Sequence, residues 1–541
     1  MSEVLMPEIG NLYAGASTSS CEALATARQW ISDCDQKHTQ CQRWIRPDPT
    51  FLPTRLIKIG ANPSDHPRIC DGESLPAGTQ YMVLSHCWGG EVPLQLKQNN
   101  VAQFQIAITA ALPKTFSDAI DVARSLGKQY IWIDSLCIVQ DSTEDWQREA
   151  RLMERIYENA WCSAAATMAR NSSEGLFSAR DPVNVRPVAV EAFWHSIRSE
   201  TYILWDLDVL HTHIDDAPLM HRGWVVQERI LAPRILHFAH GEILWECCSL
   251  RACETFPHGV PDNKSCKPSM ETKHLETEML PYTTPVLQLF RLWQAHVDTY
   301  SECGLTKPNK DKLIAISGIA RKIGTPDDYA AGLWKSIIIQ QLRWATGDNC
   351  SRPTTWRAPS WSWASIDGKI YATTPNESNL ERDYQVVCII HEVDIKPATA
   401  DPFGPILQGA ALKLEAPLLK AMISITKNKY GSPIHWINNI TGEVNLDVRP
   451  VQAGEIVFCM PLTIVTRQGS EAIYGIVIEP TDNRGQFERC GTFYVAAMNV
   501  FDQWVANASH AFSETITSDA VGLPLEDIVG PNWKRYSITL I

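Results

Sequence analysis

Apolar positions along the chain switch between two periods. From Cys21 to Cys34, residues Leu24, Ala25, Ala27, Trp30 and Ile31 approximate one face of a helix. From Phe51 to Gly78 the composition turns to Pro, Gly, Asp and Ser, which predicts loop with one short strand at Arg55–Ile59. Tyr81–Ser85 is a short apolar run bounded by loop residues, as suits a buried strand. Phe116–Leu126 follows as a helix with Phe116, Ala119, Ile120 and Ala123 on one face, Thr115 as cap and Gly127 as stop. Tyr130–Asp134 is a second strand. Thr143–Asn159 is a second helix, with Ser142 as its N-cap and Asp145 three residues on. Ala160–Thr167 supplies a third strand.

Strand, helix, strand, helix, strand defines an α/β fold: an open, mainly parallel sheet covered by helices. Ligands of such sheets bind outside the carboxyl ends of the strands, which directs attention to residues 85–90 and 134–140. A shorter helix, Trp224–Leu231, is ended by Pro233. A hairpin follows, Arg234–Phe238 with Glu242–Glu246, turning at His240-Gly241. Residues 255–280 are polar and loop-like. Helices are expected at Leu287–Tyr300, Asp311–Lys322 and Tyr329–Trp344. Beyond Ser351 short β-like runs dominate, including Gln385–Ile390, Glu455–Met460, Tyr474–Ile478 and Gly491–Ala496. WSWAS at 361–365 alternates tryptophan with small residues, as a strand with one buried face does. The expected division is an N-terminal helical and loop segment (1–78), the α/β core (79–250), a helical extension (251–350) and a mixed or β-rich C-terminal domain (351–541).

Composition narrows the class. With 45% apolar and 20% charged residues the chain is an ordinary globular one. A formal charge of −13 and the lack of any Lys/Arg-rich run argue against nucleic acid as a partner. No apolar run approaches the length of a membrane span. The first ten residues carry Glu3 and Glu8 and no apolar core, unlike a secretory signal, so the expected location is cytoplasmic. There the 16 cysteines are expected to be reduced and mostly buried.

Five strings then stand out in order: YMVLSHCWGG (81–90), LPKTFSDAI (112–120), YIWIDSLCIVQD (130–141), DWQREARLMERIYENA (145–160) and RGWVVQERILAPRILHF (222–238). Together they resemble the heterokaryon-incompatibility (HET) domain of filamentous fungi, and RAPSWSWASIDG (357–368) resembles a string common downstream of it. The resemblance implies non-self recognition and regulated cell death when different fungal cells fuse. It also implies partners of two kinds, further copies of the chain or another incompatibility protein. Some relatives are associated with secondary-metabolite gene clusters, which leaves a biosynthetic enzyme or accessory factor as another class. HET cores are similar to the TIR fold, whose enzymatic members cleave NAD at the nicotinamide–ribose bond. NAD is therefore the substrate that the resemblance brings in.

Glu149 is the first catalytic candidate. It lies on the stripe of Trp146, Met153, Ile156 and Ala160, where a carboxylate must be partnered, protonated or turned to a cleft. NAD-cleaving TIR domains carry a glutamate in a comparable place, although here its distance from the preceding Trp is three residues and not their usual four. Its chemistry would be stabilisation of an oxocarbenium-like ribose. The alternative is an ion pair with Arg222 or Arg229. In the loop after the first strand, Ser85, Trp88, Gly89 and Gly90 offer close backbone approach and a stacking face, or else a tight turn. Asp134 would bind ribose hydroxyls or cap the following turn. A nucleophilic site from Ser85, His86, Cys87, Asp134 and Cys137 is a third arrangement, without the GxSxG elbow. Glu228, between Arg222 and Arg229, is a second carboxylate, or part of a salt-bridge network.

One string has metal-ligand spacing. Cys34, His38 and Cys41 suit three ligands of a structural zinc, with His66 or Cys70 as the fourth. Cys247, Cys248 and Cys253 are expected to be core thiols, since adjacent cysteines chelate poorly.

Overall fold

The computed structural model describes residues 15–45, 47–62, 64–90, 94–185, 188–194, 197–204, 208–260, 285–371, 384–427, 433–437, 440–467, 470–498, 524–528 and 534–541. The chain divides into two compact units, residues 1–282 and 283–541.

The first unit runs α1 (Cys21–Gln36), α2 (Thr39–Trp44), β1 (Arg55–Lys58), β2 (Arg68–Asp71), β3 (Met82–Ser85), α3 (Val101–Ile106), α4 (Lys114–Ser125), β4 (Tyr130–Trp132), α5 (Asp134–Cys137) and α6 (Thr143–Glu158). It continues with β5 (Cys162–Ala165), β6 (Val188–Trp194), β7 (Ile197–Leu204), α7 (Gly223–Leu231), β8 (Arg234–Phe238), β9 (Ile243–Cys247) and β10 (Arg251–Cys253). Eight of the strands form one sheet in the order β10-β9-β8-β5-β3-β4-β1-β2. The centre, β8-β5-β3-β4, is parallel, and both flanks are antiparallel. The expected parallel arrangement is present at the centre of the sheet, in three of its seven pairings. The segment before residue 79 contributes two of its strands, and the hairpin after Pro233 contributes two more.

Burial explains the centre. All four residues of β3, of β5 and all five of β8 are buried, as near-continuous apolar runs are when helices cover both faces. Helix α1 docks on β9 through Trp30, which stacks on Trp245 with ring centroids 6.3 Å apart. The Trp30 indole also donates to the Pro257 carbonyl at 2.7 Å.

Helix starts follow side-chain chemistry. The Ser142 side chain accepts from Asp145 N at 3.2 Å, as its position predicts. Thr115 is not the cap of α4. The helix begins at Lys114 after Pro113, and Thr115 Oγ1 instead accepts from Gly175 N at 3.1 Å. Asp118 is shared between Lys114, one turn earlier on the same helix, at 2.7 Å and a tertiary partner, Leu176 N, at 2.8 Å.

The second unit contains helices Pro285–Glu302 and Ile314–Ile323 and an eleven-stranded sheet. That sheet is antiparallel but for the pairing of Gln486–Met498 with Lys534–Leu540. Two expectations fail here. Tyr329–Trp344 is no single helix. Ala331 and Gly332 adopt φ of +50° and +91° and turn a small hairpin, Tyr329–Ala330 with Leu333–Trp334. Nor is WSWAS a strand. Ser362 caps a short 3-10 turn, Trp363–Ser365, with Trp361 and Trp363 both buried. The Gly332 carbonyl accepts from the indoles of Trp293 and Trp363, each at 2.8 Å, which joins the two features. Residues 261–284, within and beyond the expected 255–280 loop, lie outside the described residues.

Candidate functional site

Parallel strands β3, β4 and β5 end together, and their carboxyl edge carries most of the residues singled out above. Ser85 closes β3. Its Oγ donates to Glu228 Oε2 on α7 at 2.6 Å and lies 3.4 Å from the Tyr157 hydroxyl on α6. Glu228 is buried, and that burial pushes its carboxyl above the usual range, against the lowering effect of the Arg222 guanidinium. Arg222 is not an ion-pair partner of Glu149, because it donates to the backbone carbonyl of His86.

The next residues form a second knot. The Trp88 indole donates to Asp134 Oδ2 at 2.8 Å, while Asp134 Oδ1 accepts from Ser135 N at 2.6 Å. Asp134, the first residue of α5, thus accepts from the amide that follows it and holds Trp88 at once, while the N-cap position itself falls on Ile133. His86 Nδ1 lies 3.8 Å from Asp134 Oδ1, and its ring meets Phe116 edge-on at 5.0 Å. Burial holds the imidazole down at about 4, so at neutral pH it carries no charge. Burial pushes the neighbouring Cys87 thiol up, so the two do not form a thiolate–imidazolium pair. The buried Cys137 thiol is also driven up by desolvation. Of the two glycines, Gly89 has the structural need. It sits at φ +73°, and a Cβ there would strike the Asn171 side chain, whereas Gly90 faces open space.

Glu149 occupies the strand ends on the β1 side. Its side chain is fully buried, as the helical stripe predicts. Its partners are not Arg222 or Arg229. Oε1 accepts from Arg148 Nε at 3.2 Å and lies 3.9 Å from Arg55 Nη1. Arg55 chelates Asp145 through Nη2 at 2.7 Å and Nη1 at 3.0 Å, and also reaches the Cys137 carbonyl at 3.0 Å. Burial raises the Glu149 carboxyl, and the Asp145 charge adds to that. The Thr54 hydroxyl, Arg55 and Arg148 pull the other way, while Oε2 is left without a hydrogen bond of good geometry. Arg229, for its part, is committed to Glu246 at 2.8 Å and Asp215 at 2.8 Å.

Three of the four residues that could hold a metal were legible. Cys34, His38 and Cys41 converge, but neither His66 nor Cys70 completes the set. Cys70 sits on β2 at the opposite edge of the sheet, with its thiol on the Leu56 carbonyl at 3.4 Å. The fourth is Cys247, at the end of β9, which is a buried core thiol as expected and also brings its Sγ within 4.8 Å of the other three ligand atoms. No local motif marks it.

A parallel sheet with polar side chains gathered at its carboxyl edge, roofed by α6 and α7, defines an α/β domain with a ligand-type edge. Residues 81–228, from just before β3 to Glu228 itself, match the family model described as heterokaryon incompatibility protein (HET). No curated protein and no solved structure matches the chain. Among the described residues no helix is long and apolar enough to cross a membrane.

Proposed function

We propose that the chain acts in non-self recognition at fungal cell fusion, with residues 81–228 as the module that commits the cell to death, and that it does so as a signalling module. The match of that stretch to the HET family supports the role. The observation that carries the mode is the state of the carboxyl edge. Ser85 is engaged by Glu228, Trp88 by Asp134, and Glu149 by Arg148 beside the Arg55–Asp145 pair. Side chains committed to one another in this way hold a surface in shape for a partner, either a second copy or another incompatibility protein.

A second reading has its own observation. Glu149 keeps one buried oxygen without a well-formed hydrogen bond, at the sheet edge where α/β folds take ligands. In TIR-like NAD cleavage that carboxylate would steady the ribose cation as nicotinamide leaves. One experiment separates the two. The chain is overexpressed in a fungal host, and cell death and free nicotinamide are followed for wild type and Glu149→Gln. The signalling reading expects both proteins to kill without nicotinamide release. Loss of both killing and nicotinamide in the variant supports NAD cleavage instead. A wild-type chain that does not kill removes the role in cell death.

A further inference from the structure

The first unit carries a second constellation, remote in sequence from the carboxyl edge. Cys34 lies in the last turn of α1, His38 in the link to α2, Cys41 in α2 and Cys247 at the end of β9. One ligand atom from each falls within 4.8 Å of all the others. His38 Nδ1 is 3.4 Å from Cys247 Sγ and 3.8 Å from Cys41 Sγ. In a tetrahedron with ordinary zinc–sulfur and zinc–nitrogen bonds, sulfur and nitrogen ligands stand about 3.5 Å apart and sulfur pairs about 3.8 Å apart. The two nitrogen–sulfur separations are close to that edge length, and every other pair lies within 4.8 Å.

We infer that Cys34, His38, Cys41 and Cys247 form a closed Cys3His site for a thiophilic divalent metal, zinc by the chemistry of its donors. Each of the three thiols is buried and free of disulfide. Soft thiolates with one imidazole select zinc over the oxygen-seeking cations. A full set of four protein ligands marks a structural site, with no position left for substrate. The surroundings fit the charge. Three thiolates around a divalent ion leave one net negative charge, and Arg234 Nε reaches Cys34 Sγ at 3.3 Å. Arg234 also binds Asp35, which fixes its guanidinium in place. The Ser249 hydroxyl lies 3.5 Å from Cys41 Sγ, placed to donate to a bound thiolate.

The site ties together two stretches that flank the HET-matched residues. It clamps α1 and α2, which precede β1, to a strand that follows α7. Folding free energy then includes the metal's binding free energy, because an unfolded chain cannot bring Cys247 to the other three. The inference stands apart from the proposed function and survives its failure.

The test uses the full-length chain, produced with zinc supplied, and measures bound metal together with the visible spectrum after exchange to cobalt. The expected result is about one zinc per chain and the intense ligand-field bands of tetrahedral, thiolate-bound cobalt. Cys247→Ser should lose the metal or weaken it strongly, while Cys303→Ser, in the other unit, should keep it. Zinc-free wild type, weak octahedral cobalt bands, or full metal retention in Cys247→Ser overturns the site. So does a disulfide joining any two of the three cysteines in protein purified under reducing conditions. Should Cys247→Ser fail to fold, the wild-type cobalt spectrum decides alone.

Discussion

Ser85 Oγ donates to Glu228 Oε2 at 2.6 Å, so the end of β3 is hydrogen-bonded to a carboxyl carried on α7. The contact is buried, and the carboxyl is held above its usual range mainly by desolvation. Ser85→Ala is expected to cost about 1–3 kcal/mol, because it strands a buried acceptor. Glu228→Gln keeps an acceptor oxygen of the same shape and should cost less. Urea unfolding of both variants checks the order, and a Gln variant less stable than the Ala variant contradicts it.

Arg55 carries the heavier load on the other side of the edge. It neutralises Asp145, faces Glu149 and bonds the Cys137 carbonyl. Arg55→Met should destabilise by about 3–5 kcal/mol, since two buried carboxylates lose a shared cation. Arg148→Ala removes a half-exposed donor from the buried Glu149 and should cost about 1–3 kcal/mol, less than Arg55→Met. Equal losses in the two variants would show that Arg55 has no special place.

Glu242 gives a pH signature. Burial pushes its carboxyl from 4.5 up to about 7, with Thr255 opposing the shift through its backbone and hydroxyl. A raised acid holds its proton in the folded chain after the unfolded chain has lost it. Its contribution is whole below pH 4.5 and is lost as pH rises to about 7. Glu242→Gln cannot titrate, so its Tm relative to wild type should climb across that window and level off above it. A difference that stays flat from pH 4 to pH 8 would place the titration elsewhere.

In the second unit, Arg489 is fully buried and bonds Asp447 at 2.6 Å and the Leu342 carbonyl at 3.2 Å. It also bonds the Trp344 carbonyl, with its guanidinium 3.3 Å over the Trp344 ring centroid. A lysine keeps the charge but not this fan of donors. Arg489→Lys is therefore expected to cost about 3 kcal/mol, measured as the shift of the denaturant midpoint at unchanged slope. A loss within error of zero would mean that the charge alone suffices.

Features governed by neighbours along the chain were legible in the sequence. The Ser142 cap of α6, the buried stripe that holds Glu149 and the apolar strands β3, β4 and β5 all follow from local chemistry. Partners brought from afar were not. Nothing near Cys41 points to Cys247, and nothing near Ser85 points to Glu228, 143 residues away. Glu149 was legible as buried, but Arg55 as its neighbour depends on β1 lying beside β4. The stretch from Tyr329 to Trp344 misled because its apolar spacing suits a helix, while two residues with positive φ at Ala331 and Gly332 break it.

The strand order also sets a timetable for synthesis. Strands β1 and β2 leave the ribosome first, yet β1 pairs with β4, which is made much later, and β8 must wait to join β5. Until Phe238 has emerged, the nascent sheet has an unfinished side at β5, with bare amides and carbonyls open to other chains. A fragment limited to residues 81–228 would keep that unfinished state permanently, lacking neighbours on both flanks of β5-β3-β4. Chaperone demand should therefore fall on the interval between the emergence of β5 and that of β8.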